Sequence, residues 1–294
     1  MWAYVTPHFT TFLANLELTQ SQRDDAMTKV ENVGRCLHAK YYQGSYDPRN
    51  VVVVGSYGKK TAVRPPSDID MFYLLPVPEY YRINQVLGNG QSQLLQEVKR
   101  SLADTFPRTD LSADGQVVQA PFSSYSVEVV PSFRCDDGTY ITCHTASGGS
   151  WRPSNPIAEH RAITDVDTNY DHKATHLIKM LKAWKRNCNV PLKSIILEIA
   201  ACSFVYQWPH NKQSIFWYDW MIRDFFAFLH YYRNGTAKIP GIQEDISLGD
   251  SWLSKCESAY SRAVKACDYE HDDFGVLAED EWKKIFGDQF QRAT

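Results

Sequence analysis

Two short apolar runs stand close together in the first third of the chain. Residues 51–54 are four valines that lead straight into Gly55-Ser56. Residues 69–75 follow after a gap rich in Gly, Lys and Pro. Runs of this length, rich in β-branched and aromatic residues and bounded by turn formers, predict strands. Residues 125–131 read as a further strand that Pro131 should end, since proline has no N–H to donate. Residues 116–120 predict a neighbour for it. Between them, residues 91–105 place Leu94, Leu95, Val98 and Leu102 on one helical face. Upstream, Thr19-x-x-Gln22 is a capping box, and Ala26, Val30, Val33 and Leu37 form the stripe of the helix it opens. Residues 145–156, rich in Ser, Gly and Pro, predict a linker or an active-site rim, with Trp151 as a packing anchor.

After Asp171 the period is helical. Ala174, Leu177, Ile178, Leu181, Trp184 and Cys188 form one stripe, and Lys179, Lys182 and Arg186 lie on another face. Residues 192–206 are nearly all apolar and predict a buried helix. Aromatic residues crowd 216–232, which should serve as core and stop at Asn234-Gly235. Residues 251–266 predict another helix, and 282–286 close the fold. The pattern predicts an α/β (α+β) chain. A small mixed sheet with an N-terminal helix should occupy residues 1–165, and a helical lobe residues 166–294.

Composition narrows the function class. The chain has 294 residues and a net charge of −3, so it carries no overall basic excess for holding long nucleic acid. We therefore expect no nucleic-acid activator. No apolar stretch approaches the ~18 residues of a membrane span, and the first residues lack a secretory pattern. Seven scattered cysteines without a C-x-x-C pair predict reduced thiols and a cytoplasmic protein.

The candidate chemistry lies around the first two strands. Strand geometry would point Asp68 and Asp70 the same way. Two neighbouring anions repel unless solvent or a cation separates them, and Mg²⁺ suits hard carboxylate oxygens. Mn²⁺ could take its place. Gly55-Ser56 would end the preceding strand in an anion-binding turn, followed by Lys59, Lys60 and Thr61. Taken singly, each pattern also fits a solvated turn; their combination points to metal-assisted chemistry on a triphosphate. Glu128, in the 125–131 strand, is the candidate third acid. Ser194 would sit near a helix N-terminus, where anions bind. His172 and His176 share a helical face without a nearby acid or cysteine, and we read them as surface or packing residues.

Three stretches carry a resemblance: Gly55-Ser56-Tyr57-Gly58-Lys59-Lys60-Thr61, Ser67-Asp68-Ile69-Asp70 and Val127-Glu128-Val129-Val130-Pro131. They resemble the polymerase-β-type nucleotidyltransferases. Leu177 to Lys185, Leu192-Lys193-Ser194 with Glu198, and Trp282 to Gly287 narrow the resemblance to the bacterial cGAS/DncV-like nucleotidyltransferases (CD-NTases), over nearly the whole chain. The resemblance implies a polymerase-β-like core and a helical lobe closing a nucleotide cleft. It implies Mg²⁺-dependent joining of NTPs into a cyclic di- or trinucleotide, with release of pyrophosphate, in anti-phage signalling (CBASS). Asp68, Asp70 and Glu128 match the metal-binding catalytic acids, with Glu where the family most often has Asp. Gly55 and Ser56 match the phosphate-contacting turn, and Ser194 with Lys179 or Lys182 the triphosphate contacts. Ile195 stands where many relatives carry a base-stacking aromatic, so stacking would come from elsewhere, Tyr57 being one candidate. A separate effector protein would bind the product. Alternatives are a non-cyclising enzyme of oligoadenylate or RNA-end type, or a catalytically dead nucleotide-binding module. The tail, residues 291–294, carries no feature that assigns it a regulatory role.

Overall fold

The computed structural model describes residues 2–291; Arg292, Ala293 and Thr294 of the tail lie outside the described residues. The chain divides into two compact units. One, the sheet unit, comprises Leu18–Ala62 and Pro66–Ala158. The other, the helical unit, comprises the residues up to Glu17, Val63–Pro65 and those from Glu159 onward.

In the sheet unit, α2 (Gln20–Tyr41) follows α1 (Val5–Leu16) of the helical unit and opens on the expected capping box. The Thr19 hydroxyl accepts the Gln22 N–H, and the Gln22 side chain accepts the Thr19 N–H. Strand β1 (Val51–Val53) leads into a four-residue helical turn, α3 (Gly55–Gly58), and then β2 (Ile69–Leu74). After α4 (Val77–Asn84) and α5 (Gly90–Thr105) come β3 (Ser112–Asp114), β4 (Val117–Pro121), β5 (Ser126–Arg134), β6 (Tyr140–His144) and β7 (Ser150–Ser154).

Among the described residues these seven strands form one sheet in the order β1-β2-β5-β4-β3, with β6 on β5 and β7 on β6. β2 and β5 run parallel and the other pairs antiparallel. Alternation then sorts the side chains. Ile69, Met71, Tyr73, Val127 and Val129 share a core with Ala26, Val30, Val33 and Leu37 of α2 and the leucines of α5. Asp70, Phe72, Glu128 and Val130 take the opposite face, where Val54, Phe72, Val130 and Tyr140 form a small cluster of their own.

The helical unit holds α1, most of α6 (Pro156–Asn169), α7 (Lys173–Asn187), α8 (Ser194–Gln207), α9 (Tyr218–His230), α10 (Leu253–His271) and α11 (Gly275–Phe286). A hairpin of β8 (Thr236–Lys238) and β9 (Asp245–Ser247) lies between α9 and α10. The stripe of α7 is buried as predicted, Leu177, Leu181 and Trp184 completely.

Four features depart from the sequence reading. The contiguous division at residue 165 does not hold for α1. Its Phe9 and Phe12 meet Trp282 and Phe286 of α11 at ring-centroid distances of 5.3 and 4.7 Å, which assigns it to the helical unit. Helix α6 buries only Ile163 and Asp167, so it offers no apolar stripe to read; its signal is local, the Asn155 carboxamide oxygen accepting the Ala158 N–H just ahead of Pro156. The segment read as linker or rim contains β7, which pairs residue for residue with β6 and seats Trp151 against Tyr80 and Phe133. Pro131 does not end β5. It lies opposite Tyr73 of β2, at a register where neither β4 nor β6 pairs with β5, so its missing N–H leaves no ladder bond unmade.

Packing of α1 generates a prediction. Phe12 is fully buried, so Phe12→Ala should lower the stability of the helical unit by about 3–5 kcal/mol. Urea unfolding followed by tryptophan fluorescence would show it, and a change within about 0.5 kcal/mol would contradict the packing of α1.

Candidate active site

The parallel pairing of β2 and β5 sets Asp70 directly beside Glu128. Both are half-buried. Burial, followed by the charge of Glu128, pushes the Asp70 carboxyl up to about 6; Lys59 pulls the other way, and Asp68 and a hydrogen bond with Glu128 add to the rise. A hydrogen bond between two carboxyl groups requires one of them to hold a proton. On the far side of Glu128, Gln119 of β4 sits in register and donates its amide to Glu128 Oε1 at 2.8 Å. Ser112 of β3 donates to Gln119 Oε1 at 3.2 Å, which orients the amide donor toward the carboxylate. A polar row therefore crosses four strands: Asp70, Glu128, Gln119, Ser112.

Asp68 lies one residue ahead of β2 and is exposed. Among the described residues no three His, Cys, Asp or Glu side chains are gathered closely enough to hold a metal ion alone. The sequence predicts three converging acids; in the structure two meet, and Asp68 acts on them through its charge. This arrangement fits Mg²⁺, which is usually bound through one or two carboxylates and completes its octahedron with water and substrate phosphates. Below about pH 6 a proton on Asp70 relieves the repulsion that a cation would relieve above it.

The turn after β1 closes against the same carboxyl. Gly55 has φ +57°, and a Cβ built on it would overlap the Asp70 carboxylate. Glycine is required twice over, by conformation and by approach. The Val54 N–H donates to the Asp70 carbonyl at 2.9 Å, fixing the turn to β2. Gly55 and Ser56 open the helical turn, and the first N–H groups of such a turn have no acceptor within it. Lys59 is buried and near enough to Asp70 to lower its pKa. The Tyr57 ring packs edge-on against Tyr125 and belongs to the core margin.

Lys179, Lys182 and Ser194 lie in the helical unit. Lys179 is buried and ion-paired with Glu17; Lys182 pairs with the buried Glu198 at 3.1 Å. Arg186 donates to the Arg64 carbonyl at 3.0 Å and to the Gln289 side chain. The basic face is thus engaged by protein partners, Glu198 on the next helix and the others far away in sequence. Ser194 is the first residue of α8, and its hydroxyl accepts from Lys185 Nζ at 3.2 Å. Sequence reasoning passed over Lys185; its signal was its place near the end of α7, one short loop before Ser194. His176 is bonded through Nδ1 to the Tyr218 hydroxyl at 2.7 Å, and burial holds it down at about 4, whereas the His172 side chain is exposed. They form no common ligand set.

Comparison with known proteins identifies the relatives of this chain. Residues 4–167 match the family described as the Second Messenger Oligonucleotide or Dinucleotide Synthetase domain. A probable cyclic nucleotide synthase of Bacillus cereus (strain VD146) is 21% identical, over 93% of this chain and 91% of its own length. A cyclic AMP-AMP-AMP synthase of Acinetobacter sp. (strain ATCC 27244 / 9458) is 25% identical, over 82% of this chain and 72% of its own. The structure of CdnC from E. coli MS115-1 with ATP superposes with a TM-score of 0.67 at 17% identity, covering 99% of this chain and 100% of that one. That likeness establishes the shared fold.

Two outcomes follow from the acid pair and its turn. In the unfolded chain Asp70 loses its proton near pH 3.8, and in the fold it keeps it to about pH 6. Between those values the folded chain binds more protons, so this group makes the fold less stable as pH rises, and the penalty is complete above pH 6. Asp70→Asn should therefore be more stable than the parent at pH 7.5 in EDTA, by on the order of 2–3 kcal/mol, with the difference vanishing near pH 4. Calorimetric melting at the two pH values measures this, and equal stability at both would contradict the raised pKa. Gly55→Ala should lower stability by at least about 1 kcal/mol and displace Asp70, seen as a lower melting temperature at neutral pH; an unchanged melting temperature would contradict the close approach.

Proposed function

The chain belongs to the CD-NTases, the Second Messenger Oligonucleotide or Dinucleotide Synthetase family of nucleotidyltransferases, and from that membership we propose that it joins NTPs into a cyclic oligonucleotide messenger by Mg²⁺-dependent chemistry at Asp68, Asp70 and Glu128. The observation that carries the chemical reading is the in-register Asp70–Glu128 pair, in which burial and the neighbouring charge push Asp70 up to about 6, the mark of a deficit of positive charge. When bound, Mg²⁺ supplies that charge, acidifies a ribose hydroxyl of the acceptor nucleotide and neutralises charge building on the phosphates.

The remaining work falls to the chain. Asp70 and Glu128 hold their carboxylates on one rigid pair of strands, and Gln119 keeps Glu128 from swinging away despite its extra methylene. Asp68, exposed at the entry to β2, is free to turn toward phosphate-bound cations. Gly55 and Ser56 offer backbone N–H groups and a hydroxyl to phosphate oxygens. Lys179 and Lys182 already neutralise Glu17 and Glu198. Lys185 donates to the neutral Ser194 hydroxyl, so its charge is the one more readily given to a triphosphate; we assign that contact to Lys185 and Ser194. Preorganised charge of this kind supplies most of the acceleration in phosphoryl-type transfer. The acceptor hydroxyl would form a bond to an α-phosphorus as the bond to pyrophosphate breaks, and a second such attack, releasing a second pyrophosphate, would close the ring. The messenger would serve anti-phage defence through a separate effector protein. The net charge of −3 supports action without a DNA or RNA activator.

Incubation with labelled NTPs and Mg²⁺ tests the proposal. We expect pyrophosphate release and small products that resist phosphatase, with no requirement for nucleic acid, and mass spectrometry would give their bases and ring size. Asp70→Asn should reduce turnover at least about 1,000-fold, since loss of a metal-ligand charge removes several kcal/mol of transition-state stabilisation. Phosphatase-sensitive ladders would indicate a non-cyclising enzyme, and nucleotide binding without pyrophosphate release a catalytically dead one.

A further inference from the structure

Val118 and Ala120 of β4 are fully buried in one core with Val127 and Val129 of β5. Their burial fixes the register of the two strands and turns Gln119 to the face of the acids, opposite Glu128. The Gln119 amide nitrogen donates to Glu128 Oε1 at 2.8 Å. Its amide oxygen accepts the hydroxyl of Ser112, the residue in register on β3, at 3.2 Å. The two bonds set the sense of the amide. Turned over, it would place its oxygen against a carboxylate oxygen and lose the bond to Glu128.

This arrangement makes the two oxygens of Glu128 unequal. Oε1 already accepts an amide N–H, and the positive end of the amide dipole stands beside it, which disfavours a cation there. Oε2 receives no bond from Gln119. A glutamate has one more rotatable bond than an aspartate, so without a restraint it can turn both oxygens onto one ion. Cations differ in their use of such a group. Ca²⁺ takes about six to eight oxygens at roughly 2.3–2.6 Å and often binds a carboxylate through both of its oxygens. Mg²⁺ demands a near-ideal octahedron at about 2.0–2.1 Å and usually keeps several waters.

We propose that Gln119 is a specificity-determining residue of the metal site: it confines Glu128 to binding through Oε2 alone and so selects small octahedral cations, Mg²⁺ or Mn²⁺, over Ca²⁺. The inference rests on the reading of Asp70 and Glu128 as metal-binding acids. Gln119 acts on the ion through Glu128, in the way that hydrogen bonds to a ligand tune its metal.

Calorimetric titration of the full chain with Mn²⁺ and, separately, with Ca²⁺ tests it at pH 8, where Asp70 has lost its proton. In Gln119→Leu the ratio of the Ca²⁺ to the Mn²⁺ dissociation constant should fall at least about fivefold from its parental value. A general loosening of the sheet would weaken both ions together and leave that ratio unchanged. Gln119 is exposed, so its replacement spares the core. Should Gln119→Leu fail to fold, Gln119→Asn, one methylene too short to reach Oε1, takes its place. An unchanged ratio in the folded variant, with Mn²⁺ binding lost in Asp70→Asn, would overturn the inference and leave the metal site standing. Mn²⁺ binding that is equal in the parent and Asp70→Asn, or absent from both, would overturn the reading of the site and the inference with it.

Discussion

Two carboxylates set side by side on neighbouring parallel strands ionise together in a half-buried site only at a cost, which pushes Asp70 up to about 6. The sheet unit is built in a way that enforces this conflict. Parallel pairing of β2 with β5 fixes Asp70 opposite Glu128. Helices α2 and α5 cover the other face of the same strands through Ile69, Met71, Val127 and Val129, so a slip of one residue would bury the acids in the apolar core. The hydrophobic core therefore holds the acidic row in place. Gly55 then allows the turn after β1 to close on Asp70 where any side chain would collide. In the proposed function a bound cation would relieve this unfavourable pair, so that stability given up at rest would become affinity for metal.

Much of this was legible in the sequence because it is written in local periodicity. The capping box at Thr19, the stripes of α2, α5 and α7, and the alternation of side chains along each strand all depend on residues a few positions apart. What was not legible depends on the third dimension. Pro131 sits inside β5 because two antiparallel neighbours leave a gap opposite it, and no local pattern announces such a gap. β7 has a turn-like composition, yet β6 offers it an edge. Helix α6 is polar on most faces and announces itself only by its cap. The pattern of α1, with Val5, Phe9, Phe12 and Leu16 at helical spacing, was available and went unread.

The candidate site shows the same division. Asp70, Glu128, Gly55 and Ser56 were found from spacing, and the structure brings these residues together in one unit. Asp68 was found too, but it lies one residue ahead of β2, and in this structure it acts on Asp70 through its charge. The lysines of α7 looked like a basic stripe awaiting an anion. Their partners are Glu17, remote in sequence, and Glu198 on the next helix, and pairing with carboxylates changes what each lysine has left to offer. Lys185 emerges only once α8 is in place to present Ser194 to it.

The central claim is that the proton Asp70 holds beside Glu128 at pH 6 gives way to a divalent cation. Calorimetric titration with Mn²⁺ at pH 6, run in two buffers of different ionisation enthalpy, counts protons released on binding. With Asp70 at about 6, the account predicts release of roughly half a proton per ion bound, falling toward zero by pH 8. Binding with no proton release at pH 6, or no binding at all, would contradict it.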